Sequence, residues 1–124
     1  MNNVIRLFED YIKYHSKLCN KREDYYSKKN VLIHNKAMRK LIALREEIAA
    51  DMDTANEVYK LLLSCENIYV QQSAASDCLK LNIHVDQSLQ ILKDIIENGD
   101  RMQSMAAKRM LLIWEGKLDP NSPF

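Results

Sequence analysis

Glycine and proline are nearly missing from this sequence, which has two of each. Both prolines, Pro120 and Pro123, fall in the last five residues, so no helix breaker interrupts the body of the chain. Strand signals are missing as well, because no stretch alternates apolar and polar residues between turn formers. These two absences exclude sheet-containing classes and predict an all-α chain. Only Gly99 and Gly116 are available for loops, which excludes a glycine-rich phosphate loop. No apolar run approaches the roughly 20 residues that a membrane-spanning helix needs. Charges also arrive too early in Met1 to Asp10 for the apolar core of a signal peptide. The three cysteines, Cys19, Cys65 and Cys78, form no close pair, which fits reduced thiols. The expected location is therefore the cytoplasm, with no membrane association.

What is present is helical periodicity. A length of 124 residues is enough for one domain with a sizeable core, and residues 119–124 are expected to fray. The spacing predicts a first helix from Asn3 to Asn20, with Val4, Leu7, Phe8, Tyr11, Ile12 and Leu18 on its apolar face. Polar residues from Asn20 to Asp24 predict a turn. A long helix is then expected from Tyr25 to Ala50, with Val31, Ile33 or His34, Met38, Leu41, Ile42 and Ile48 inward. Thr54 and Glu57 read as a capping box for a short helix carrying Val58, Leu61 and Leu62.

The chain is centred on the stretch from Asn67 to Leu81. Asn67 is a good N-cap, since its side-chain oxygen can accept from a first-turn amide. Val70, Ala74, Cys78 and Leu81 follow at helical spacing, and Asn82 suits the C-cap. A fifth helix carries Leu89, Leu92, Ile95 and Ile96 and ends at Asn98-Gly99. Asp100 and Gln103 then form a second capping box, ahead of Ala106, Ala107, Met110, Leu111 and Trp114. Two similar capped helices about 30 residues apart, with another between them, suggest a HEAT-like helical repeat. Small residues let backbones approach closely, so Ala74 and Ala106 are expected at helix contacts and Trp114 in the core.

The stretch 67–118 also resembles a bacterial family of short HEAT-like helical proteins of unknown function. The matching residues are Tyr69-Val70, Ala74-Ala75 and Leu79, then Leu89 and Leu92. The clearest match is the ending, an Ala-x4-Leu-x2-Trp-x-Gly-x-Leu pattern formed by Ala106, Leu111, Trp114, Gly116 and Leu118. Upstream, Asn35 to Leu41 resembles the family's Asn-rich long helix. The resemblance implies a HEAT-like α-α superhelix of about six helices. It implies no enzymatic activity, and small proteins of this kind occur as immunity proteins beside secreted bacterial toxins. In one departure, Gln71 stands where HEAT-type helices usually place Arg, so no anion-binding role is carried over from that position.

Charge is unevenly spread beneath a net balance of +1. Residues 1–45 hold eleven Lys or Arg against four Asp or Glu, a balance of +7. Residues 46–100 hold three against eleven, a balance of −8. One reading is that solvated helix faces merely differ and the two halves attract within the fold. The sharper reading is an acidic surface that receives a basic protein partner. A basic N-terminal half could also follow phosphates, but it lacks arginine clusters, so nucleic acid is the least favoured partner.

Catalytic patterns are wanting. His15, His34 and His84 are scattered, without a His-Glu-x-x-His motif. His15 and Cys19, four apart, supply at most two metal ligands where a site needs a second pair. Glu46-Glu47 reads as a solvated helix face, and Cys78 as a small buried hydrophobe. No cofactor, metal or catalytic residue is expected. Tyr25, Tyr26, Tyr59 and Tyr69 could each pack at a helix junction or anchor an interface. Function is expected to lie in protein binding. The first reading is an immunity protein that neutralises a cognate bacterial toxin with a basic surface. The alternatives are a scaffold or adaptor, or a nucleic-acid-binding HEAT-like module. The expected partner-binding residues are Tyr69, Gln72, Ser73, Ser76 and Asp77 on the central helix, with Asp86, Asp94 and Glu97 on the next.

Overall fold

The computed structural model of the chain describes residues 2–19 and 28–121. The turn expected at Asn20 to Asp24, together with Tyr25 and Tyr26, lies outside the described residues, as do the Cys19 side chain and residues 122–124. Six helices make up the described chain: α1 (Asn2–Cys19), α2 (Lys28–Ala49), α3 (Met52–Leu63), α4 (Ile68–Leu81), α5 (Val85–Asn98) and α6 (Arg101–Trp114). Among the described residues there is no strand. The chain divides into two compact units, Met1–Leu61 and Leu62–Phe124.

In the first unit α1 packs along α2. Leu7 and Tyr11 are buried from α1, and Ala37, Leu41, Leu44 and Ile48 from α2. Those four α2 residues follow one another at intervals of four, three and four, which keeps them on one stripe. The Tyr11 ring meets Tyr59 of α3 edge-on, with centroids 6.2 Å apart, and is stacked with His15 at the same distance. Arg45 donates to the Tyr11 hydroxyl at 3.4 Å, which satisfies the polar tip of a buried ring. Tyr59, 1% exposed, thereby takes the packing role rather than the interface role.

Three expectations fail here. Val31, Met38 and Ile42 remain exposed instead of facing inward. At 3.6 residues per turn they lie about 90–130° from the Ala37–Ile48 stripe, which is the stripe buried where α1 packs along α2. The second failure is the start of α3. Thr54 is inside the helix, and the side chain of Asp51 accepts from the Asp53 amide at 3.1 Å and from the Thr54 hydroxyl at 3.0 Å. Asp51 is the cap, three residues earlier than expected. Leu61, expected to pack inward, is exposed, and Leu62 and Leu63 are buried.

The second unit is built on α4. Asn67 caps it by accepting from the amides of Tyr69 and Val70. Val70, Ala74, Ala75, Cys78 and Leu79 are all within 2% of full burial. Asn82 ends the helix in the left-handed region at φ 58, and the amide of Ile83 returns to the Cys78 carbonyl at 3.0 Å. Asn tolerates this conformation better than most residues. α5 then packs on α4 and on α6 through Ser88, Leu92 and Ile95. The turn into α6 needs Gly99, because a Cβ there would lie 2.7 Å from the Ile95 carbonyl oxygen. Asp100 and Gln103 form the expected reciprocal capping box.

The end of the chain departs from expectation. Ala106 is exposed, and Trp114 is 37% exposed rather than buried in the core. The covered face of α6 is set by Gln103 and Ala107. Ala106 lies about 100° round from Ala107. Trp114 keeps the phase of Ala107 but occupies the final residue of the helix. Beyond it, Arg109 donates to the Pro120 carbonyl at 3.1 Å, which ties residue 120 back to α6.

Candidate protein-binding surface

α4 and α6 are neighbours with a constant sequence offset. The Tyr69 hydroxyl donates to Asp100 Oδ2 at 3.5 Å, and Gln72 Nε2 donates to the Gln103 carbonyl at 3.1 Å. Both pairs are 31 residues apart. An offset that stays fixed while both residue numbers rise means that the two helices run parallel, with α5 returning between them. This is the geometry of an α-α repeat, and it places the equivalent faces of α4 and α6 side by side.

Burial of α4 over more than half its circumference leaves a narrow open strip: Tyr69, Ser73, Ser76 and Lys80, at intervals of four, three and four. Tyr69 is 45% exposed; Gln72, Ser73 and Ser76 are half-buried. Farther along, Ser76 and Lys80 face Ala106, Arg109, Met110 and Ile113 of α6 across a groove of about 430 Å³ that Pro120 also lines. The floor is apolar and the charged groups in the lining are both cations. On α6 the stripe continues through Met102, 82% exposed, and Met105, 48% exposed.

Four of the eight expected binding residues, Tyr69, Gln72, Ser73 and Ser76, therefore share this surface. Asp77 does not. It was placed outward on the sequence, but it is 6% exposed, because it sits about 80° round from the middle of the open strip and within the covered arc. Asp86, Asp94 and Glu97 are exposed on the outer face of α5, about half a turn from its buried Leu92 and Ile95. That face points away from α4 and α6, so the acidic residues and the Tyr69 strip do not form one footprint. Asp94 accepts from Gln90 at 2.9 Å along the same helix.

The residues missed on the sequence are Lys80, Met102, Met105, Arg109 and Ile113. Their signal was a second stripe on α6, Met102, Met105, Arg109 and Ile113, at intervals of three, four and four. On the sequence this stripe competes with Ala106, Ala107 and Trp114, and periodicity alone does not rank the two.

Behind the strip lies a buried polar spot. Burial pushes the Cys78 thiol up to about 12; a hydrogen bond from the Ser88 side lowers it somewhat, and the neighbouring Asp77 carboxylate raises it further. Ser88 Oγ, fully buried, has no other hydrogen-bond partner. A thiol held protonated in this way is a packing group and a poor nucleophile. Among the described residues no three His, Cys, Asp or Glu side chains come together as a metal site, and no helix is long and apolar enough to cross a membrane. Comparison with protein families, with characterised proteins and with solved structures returns no match.

Proposed function

We propose that the chain is a protein-binding module whose docking surface is the parallel pair α4 and α6, and that it acts as an immunity protein for a bacterial toxin. The observation that carries the binding reading is the α4/α6 groove, with exposed Met102, Met105 and Tyr69 leading into an apolar floor beside Lys80 and Arg109. Methionine adapts its shape to a partner, and tyrosine adds area at low entropic cost. The groove favours a partner segment with apolar side chains and a carboxylate. The expectation from the charge balance was a basic toxin surface, the opposite sign; of the expected binding residues, Asp86, Asp94 and Glu97 on the outer face of α5 would suit it.

The immunity reading itself is supported by the resemblance of residues 67–118 to short HEAT-like bacterial proteins. The groove would serve an adaptor equally well, and that is the second reading. Co-expression of the chain with a toxin domain encoded beside its gene distinguishes them. Immunity predicts restored growth, lost again in Met102→Ala/Met105→Ala. Unrescued growth, with tight binding to a non-toxic neighbouring product, would leave the adaptor.

A further inference from the structure

Part of the α4/α6 groove is lined by a segment that the chain folds back onto α6. Past Trp114 the Gly116 amide donates to the Ile113 carbonyl at 3.1 Å, and the Lys117 amide to the Leu112 carbonyl at 2.9 Å. These two bonds make a Schellman turn, which needs a left-handed residue where Gly116 stands with φ 74. The turn sends the following residues back along α6. The Pro120 carbonyl thereby reaches Arg109, which donates to it from Nη2 at 3.1 Å, and Pro120 joins Met110 and Ile113 in the groove lining. The Asp119 side chain accepts from the Asn121 amide at 2.9 Å, an Asx turn that bends the segment at Pro120. Along residues 116–121 Leu118 is half-buried and the others are exposed. A segment with so little buried surface opens locally at low cost.

We infer that residues 116–121 are an autoinhibitory strap, hinged at Gly116, that competes with a partner for the α4/α6 groove. The inference rests on that groove being the docking surface proposed above. With the strap in place, Arg109 is engaged by a neutral carbonyl and Pro120 takes up part of the groove. A partner carboxylate is the stronger acceptor, because a hydrogen bond between two charged groups outweighs one to a neutral carbonyl. It therefore displaces the Pro120 carbonyl from Arg109 and the strap swings out. Until then the apparent affinity is reduced to the fraction of chains whose strap is open. Gly116 sets that fraction without touching the groove. A Cβ added there meets nothing within 4 Å, so a substitution changes the backbone preference and introduces no clash. Asn tolerates the left-handed conformation, whereas a β-branched residue resists it.

The test is fluorescence titration of the whole chain with dansyl-undecanoate, a probe that joins an apolar chain to a carboxylate. Four proteins are compared: wild type, Gly116→Asn, Gly116→Val, and Gly116→Val/Met110→Glu. Gly116→Val is expected to bind the probe about tenfold more tightly than wild type, with the far-UV helical signal unchanged. Gly116→Asn should match wild type, because it keeps the strap folded back. Adding Met110→Glu should abolish the gain, which assigns the probe to the groove. Equal affinity of wild type and Gly116→Val, with binding lost in the Met110→Glu variant, would overturn the strap and leave the groove standing. A gain that survives Met110→Glu, or one shared by Gly116→Asn, would overturn the strap as well. Absence of binding in all four proteins would overturn both the strap and the groove as docking surface.

Discussion

Cys78 shows how burial governs a single side chain. Its thiol is fully buried on α4 and is pushed up to about 12. A folded value above the unfolded one adds stability that is fully present below the unfolded value and is lost as pH rises towards the folded value. Between about pH 9 and 12 the unfolded thiol ionises while the native one keeps its proton. Stability should therefore fall by about 1.4 kcal/mol per pH unit from this group. Urea unfolding of wild type and Cys78→Ala across that range checks it, since the variant should show a shallower slope. Half-buried Cys65 should react with an alkylating reagent well before Cys78 does. Ala74 and Ala106 make a second pair of opposites. Ala74 is fully buried, so Ala74→Leu should cost about 1–3 kcal/mol by overpacking. Ala106 is exposed, so Ala106→Leu should stay within about 0.5 kcal/mol of wild type. Thermal melts of the two variants separate these cases.

For the helices, caps and phase decide the outcome. α4 and α6 begin where their Asn67 and Asp100 side chains can reach free amides, and both starts could be read directly from residue type. At α3 two acceptable caps compete, Asp51 and Thr54. The earlier one prevails because it lengthens the helix and still holds the Thr54 hydroxyl. Asp51→Ala should thus cost about 1 kcal/mol, and Thr54→Ala clearly less, in chemical denaturation. If Thr54→Ala proved the more costly, the cap would belong to Thr54 after all. Phase is harder to read in α2, where apolar residues occupy two stripes and periodicity alone does not rank them. Contact with α1 selects Ala37, Leu41, Leu44 and Ile48, and leaves Val31, Met38 and Ile42 exposed.

For the chain in its entirety, chemistry is distributed over separate surfaces. The α4/α6 groove is cationic and apolar, and the outer face of α5 is acidic. A partner in the α4/α6 groove should feel Tyr69 and the two groove cations. Tyr69→Ala should weaken such binding by about 2 kcal/mol while changing stability little. Lys80→Glu/Arg109→Glu should slow association with an acidic partner and reduce its dependence on salt. The matching change on α5, Asp86→Lys/Glu97→Lys, should leave groove binding unaffected. Surface plasmon resonance against a purified partner checks all three. A dominant effect of the α5 variant would move the interface to the acidic face.

The all-helical class followed from scarce glycine and proline, and the starts of α4 and α6 followed from their caps, because both depend on backbone chemistry within a few residues. Val70, Ala74, Cys78, Leu92 and Ile95 likewise follow from spacing, since intervals of three and four keep them on one stripe of their helix. The position of Asp77 could not be found that way. A carboxylate on a small-residue helix reads as solvent-facing until the width of the covered arc is known, and that width is set by neighbours distant in sequence. The separation of Asp86, Asp94 and Glu97 from the Tyr69 strip has the same origin. Charge balance counts residues along the chain, whereas a binding surface depends on the direction in which packed helices turn them.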